Sequence, residues 1–109
     1  MEQRVEVAPD VDGVRLITCT GDFDHDTLAP LRAAGAEAAS DPTVRWIALD
    51  LTGLTLADSS MLSQLLFMLR TGRLVLVNRV PPALDWMFDV TGVRELFPVV
   101  GAADLRRAL

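Results

Sequence analysis

A chain of 109 residues supports one hydrophobic core and is too short for two ordinary ones, so residues 1–109 are expected to form a single domain. Half of the residues are hydrophobic and 23% are charged, a balance that excludes a disordered chain. The net charge is -5, with ten scattered arginines and no lysine, which argues against direct binding to nucleic acid or to acidic phospholipid surfaces.

The first segment, "RVEV", alternates polar and apolar residues, and "VRLITCTG" after the turn "APDVDG" is β-branched and strand-like. Two neighbouring strands are expected, with Cys19 as a core side chain that has no partner for a disulfide or a metal site. From Thr27 the pattern turns helical, with Leu28 and Leu31 on one face and small alanines at 34, 38 and 39. Pro30 suits the first turn, and Ser40-Asp41-Pro42 ends the helix.

The run "VRWIALDL" is apolar at nearly every position, as in a strand buried on both faces, and "TGLTLAD" reads as the loop that follows it. A helix then opens at Ser59 and reaches about Arg70, with Asp58 as its N-cap. Its core stripe is expected to be Leu62, Leu65, Leu66 and Leu69. Ser60, Ser63, Gln64 and Phe67 fall opposite, with Met61 and Met68 at the boundaries. An exposed Phe67 would mark a protein-binding patch; the alternative is that it tucks against neighbouring loops.

The run "TGRLVLVN" gives a turn and another buried strand, and Pro81-Pro82 open a helix carrying Leu84, Met87 and Phe88 toward the core, closed by Gly92. A short strand in "ELFPVV" and a closing helix in "GAADLRRAL" end the chain. The fold class is therefore α/β: a mixed central sheet of about five strands with about four helices. In such sheets the loops at the carboxyl ends of strands carry function, and "GDFDHDT" and "LADSS" both lead from a strand into a helix. They are expected to be neighbours in space.

Enzymatic readings of these loops are weak. Asp22, Asp24 and Asp26 occupy the first, third and fifth places of a calcium loop, but Thr27 stands where the turn Gly belongs and Ala33 where the bidentate Glu belongs. His25, the sole histidine, could serve as base to a nucleophilic serine, yet there is no G-x-S-x-G elbow; as a solvated loop residue it is simpler. There is no phosphate-binding G-x-x-x-x-G-K-[ST] loop. No catalytic residue, metal or cofactor is expected. Nor does any window approach the roughly 18 uninterrupted apolar residues of a membrane span, so a cytoplasmic location is the default.

The order "GDFDHDTLAPL", then "WIALDLTGLTLADSSMLSQLL" some thirty residues on, resembles the STAS domain of bacterial anti-sigma factor antagonists. The matching positions are Gly21 to Asp24, Asp50 to Leu54, Asp58 to Ser60 with Leu62, and Gly72 to Val77, and "VPPALDWMFDVTGVRELFPVV" resembles the ending of that family. The resemblance implies a protein that binds an anti-sigma factor, often a histidine-kinase-like serine kinase, and so frees a sigma factor. It also implies a phosphorylation site at Ser59, with Ser60 as the fallback, and a partner surface that includes Asp24, Asp58, Ser59 and Ser60. Met61 stands where the family has Gly and is expected to add bulk to that surface, beside Ser63, Gln64 and Phe67. The helix after the serine pair is expected to be about one turn shorter than in typical members. A constitutive, unphosphorylated adaptor or accessory subunit is the alternative, and self-association through the Phe67 face into a weak homodimer is a third reading.

Overall fold

The computed structural model describes residues 2–105. Strand β1 (Arg4–Val7) and strand β2 (Val14–Phe23) are antiparallel, joined through a tight turn at Asp12-Gly13. Both turn residues have positive φ, 53° and 79°, the hairpin geometry that an Asp-Gly pair adopts readily. Helix α1 (Ala29–Ser40), strand β3 (Trp46–Ala57), helix α2 (Ser59–Leu69), strand β4 (Leu74–Val77), helix α3 (Pro82–Thr91) and strand β5 (Val99–Val100) follow in order.

The five strands lie side by side in chain order, and β2, β3, β4 and β5 are all parallel. Because each parallel crossover is right-handed and the strands advance in one direction, the connecting helices fall on one face of the sheet. The principal core lies there, built from Ile17, Leu49 and Leu76 of the sheet with Leu31 of α1, Leu65 of α2 and Phe88 of α3. A smaller cluster, Val14, Ala48, Val75 and Val77, lies on the other face, with Trp46 and Leu105 packed against it.

The architecture is the expected mixed five-stranded sheet, with two differences in detail. Among the described residues there are three α-helices, and the closing segment starts as a 3-10 turn at Ala102–Asp104; the rest of that expected helix, residues 106–109, lies outside the described residues. The second difference concerns the loops. "TGLTLAD" is not a loop, because β3 continues to Ala57 alongside the far half of β2, which itself extends to Phe23. Thr18 pairs with Asp50 and Asp22 with Leu56, so β3 carries two residues more than β2 over this stretch, absorbed as bulges. Alternation of apolar and polar residues is lost at a bulge, which is why the sequence there looks irregular.

Cys19 is fully buried, and burial, with Asp50 nearby, pushes its thiol up to about 12. Arg15 is paired with Asp10 and with Asp41 at the end of α1, at 2.8 Å each. Arg73 donates to the carbonyls of Ala39 and Val44, both at 2.7 Å, and so fastens the end of α1 to the strand that follows it.

Candidate functional site

The parallel pairing of β2 and β3 brings the segment after Phe23 beside the start of α2, as Phe23 pairs with Ala57. The two loops expected to be neighbours are directly bonded. Asp58 has extended backbone and accepts from the first-turn amides, with Oδ1 at 2.9 Å from Ser60 N and 3.3 Å from Met61 N. Its other oxygen, Oδ2, accepts from His25 N at 3.0 Å. One carboxylate therefore caps the helix and ties the preceding loop to it.

The loop is internally ordered. Asp24 Oδ1 accepts from Asp26 N at 2.9 Å and from the Thr27 hydroxyl at 3.1 Å, while Asp24 N donates to Thr27 Oγ1 at 2.9 Å. Gln3, just before β1, donates to the Thr27 carbonyl from behind. Asp22 points elsewhere, its Oδ1 accepting from the Thr55 hydroxyl at 2.6 Å, a bond that holds its carboxyl below the usual carboxylate range. The carboxylates of Asp22 and Asp24 thus serve different partners, unlike ligands of a calcium loop.

Ser59, the first residue of α2, is exposed, and Ser60 is half-buried. Met61 requires a correction: it is fully buried, so it adds no bulk to the surface. Gln64 is corrected likewise, being 8% exposed and part of the inner face of α2. The buried side of the helix is Met61, Leu62, Gln64, Leu65 and Met68, whereas Leu66 and Leu69 of the expected stripe are half-buried. The helix is turned toward α1, where Met68 lies against Gly35; a Cβ on that glycine would sit 3.2 Å from the Met68 sulfur. A helix packed against the sheet and against neighbours on both flanks buries a wider arc than one resting on a sheet alone. Ser59, Ser63 and Phe67 remain outside at four-residue spacing, and Phe67 is 63% exposed.

Between α2 and α3 runs an apolar groove of about 340 Å³, with Ser59 and Asp58 at one lip and Leu62, Met87, Trp86 and Val90 along it. Trp86 and Val90 are 68% and 65% exposed. Sequence reasoning missed them, although their i, i+4 spacing off the Leu84–Met87–Phe88 face is a signal that a second, outward stripe exists on this helix. Arg94 pairs with Asp85 and Asp89 of α3 at 2.6 and 2.9 Å and approaches the ring of Phe88, so these two acids share one arginine.

Asp58→Ala is expected to cost about 1–2 kcal/mol in urea unfolding, since it removes a cap and leaves the His25 amide without its protein acceptor. Asp58→Asn retains an acceptor and is expected to lose less.

A sequence model described as the Mlab, STAS domain matches residues 8–101. The chain belongs to the STAS domain family. This STAS chain is also similar in fold to an anti-sigma factor antagonist from Mycobacterium paratuberculosis, at 23% identity and TM-score 0.77, over 91% of this chain and 86% of that one. The Bacillus cell fate determinant SpoIIAA in its phosphorylated form is 20% identical with TM-score 0.74, over 97% of this chain and 100% of that one. The anti-sigma factor antagonist SpoIIAA in its unphosphorylated form is 22% identical with TM-score 0.69, over 96% and 94%. At such identities the likeness establishes the fold. Among the described residues no helix is long and apolar enough to cross a membrane.

Proposed function

We propose that this STAS chain is a cytoplasmic anti-sigma factor antagonist that acts by protein binding. Its partner is an anti-sigma factor of the histidine-kinase-like serine kinase type, whose capture releases a sigma factor; phosphorylation at Ser59 ends the capture. The observation that carries this reading is the position of Ser59: an exposed hydroxyl on the first turn of α2, at the lip of an apolar groove. Ser60, half-buried behind it, is the secondary acceptor.

The physical basis of the switch is electrostatic. A phosphate adds about -1.5 to -2 charges. It would stand beside the Asp58 carboxylate and near the loop that carries Asp24 and Asp26, while the first-turn amides of α2 support it. The fold keeps its cap, and a partner matched to a neutral hydroxyl and an apolar groove meets an anion instead. Ser59→Asp is therefore expected to weaken binding by about tenfold or more without changing the unfolding midpoint. Unchanged affinity measured by calorimetry would remove the switch.

A second reading, constitutive docking as an adaptor or accessory subunit, is favoured by the apolar character of the groove, which can seat a partner with no change at Ser59. Intact-mass mapping separates the two. The wild type and Ser59→Ala are incubated with ATP and the histidine-kinase-like proteins of the source organism. One phosphate on the wild type and none on the variant supports the switch. A kinase-like protein that binds without phosphorylating leaves the adaptor.

A further inference from the structure

Strand β1 forms one edge of the sheet, pairs only with β2 among the described strands, and lies on the flank away from the α2–α3 groove. Its pairing fixes which backbone groups face outward. Ala8 N donates to Leu16 O at 3.0 Å, and the register sets Glu6 opposite Thr18 and Arg4 opposite Thr20. Hydrogen-bonded pairs alternate in an antiparallel ladder, so residues 4, 6 and 8 bond to β2 and the amides and carbonyls of Val5 and Val7 point away from the sheet.

An exposed edge of this kind is a template for another strand. Charges decide which strand fits. Arg4 and Glu6 are both exposed, on the face away from the helices, and already touch each other at 3.3 Å. Consider a second copy of β1 laid antiparallel against the first. Among the registers that match outward groups to outward groups, those centred on Arg4, Val5 and Glu6 differ in which charges they oppose. Centring on Arg4 sets arginine against arginine, and centring on Glu6 sets glutamate against glutamate. Centring on Val5 sets each Arg4 against the other copy's Glu6, twice, and like charges opposite one another are avoided. The sequence "RVEV" is thus self-complementary in one register.

The helix-side face of the same edge is partly apolar. Val7 is 51% exposed, and a groove of about 560 Å³ between β1 and α1 is lined by Val5, Val7, Pro30 and Ala33 and also by Glu37 and the ion-paired Asp10 and Arg15. In the Val5-centred register the second copy's Val5 and Val7 come to this face and cover it.

We propose that two copies of this chain associate through β1, antiparallel and centred on Val5, to form a continuous ten-stranded sheet. The two-fold axis then places the two Ser59 sites at opposite ends, so both stay open to partners. This surface differs from the Phe67 face, and the proposal does not depend on the anti-sigma reading.

Sedimentation equilibrium over a concentration series tests it, with circular dichroism to verify the fold of each variant. The wild type is expected to approach twice the monomer mass. Arg4→Glu and Glu6→Arg are each expected to raise the dissociation constant about tenfold or more, and the double exchange to restore it. Mixing the two single variants is expected to give heterodimer, because each opposes the other's charges. A monomeric wild type at every concentration would overturn the proposal. So would single variants that self-associate as well as the wild type, or a dimer abolished by Phe67→Ser and untouched by Arg4→Glu.

Discussion

Trp86→Ala is expected to weaken binding of the proposed anti-sigma partner by about 30-fold or more, the largest loss from any single side chain on the proposed surface. Large aromatic side chains on a partner surface, beside a groove that dries on binding, supply about 2 kcal/mol or more each when truncated. Trp86 is 68% exposed in the free chain, next to the groove that Leu62 and Met87 line and Ser59 borders. Its removal leaves the core unchanged, since the inner face of α3 is Leu84, Met87 and Phe88. The unfolding free energy should stay within about 0.5 kcal/mol of the wild type. Titration calorimetry with the partner checks the affinity, and Phe67→Ala is the informative comparison. If Phe67→Ala costs more than Trp86→Ala, the outer stripe of α2 is the principal contact and the groove is secondary.

Gly21→Ala is expected to destabilise the fold by about 3 kcal/mol or more. Gly21 has φ of 93°, a region that residues with a Cβ rarely adopt, and the added methyl would collide with the backbone carbonyl of Glu2. That obstacle is main chain, held where the segment before β1 passes β2, so it does not yield by a rotamer change. The glycine also sits at the bulged end of β2, where Gly21 pairs with Leu54 and the next pair, Asp22 with Leu56, skips a residue. Urea denaturation followed by circular dichroism measures the loss. Because β2 then presents Phe23 and the Asp24–Thr27 loop less well, the His25–Asp58 bond should suffer too, and partner binding should fall with it. A loss below about 1 kcal/mol would mean that the segment around Glu2 moves aside freely.

Much of the site was legible because its determinants are local. Asp58 ahead of a periodic apolar run is an N-cap by residue type and position, and the structure has it accepting from Ser60 N and Met61 N. The proximity of the two loops was legible too, since strands joined by right-handed crossovers carry their carboxyl ends to one edge. The extent of β3 was not. Bulges break the period of two, so Thr52 to Thr55 read as a loop although β3 runs through them and Gly53 and Leu54 pair with Thr20 and Gly21 of β2.

The sequence by itself determined the order of strands and helices, the helix start at Ser59, and the core positions Leu31, Leu65 and Phe88. These follow from propensity, capping and periodicity, which act over a few residues. Tertiary structure decided which residues are open to a partner: it turned Met61 and Gln64 inward, left Ser59 and Phe67 outside, and set Trp86 and Val90 beside Ser59. The reason is geometric. Periodicity gives a helix an apolar stripe, but the width and direction of the buried arc depend on the elements packed against it, and here α2 is enclosed by α1, α3 and the sheet together.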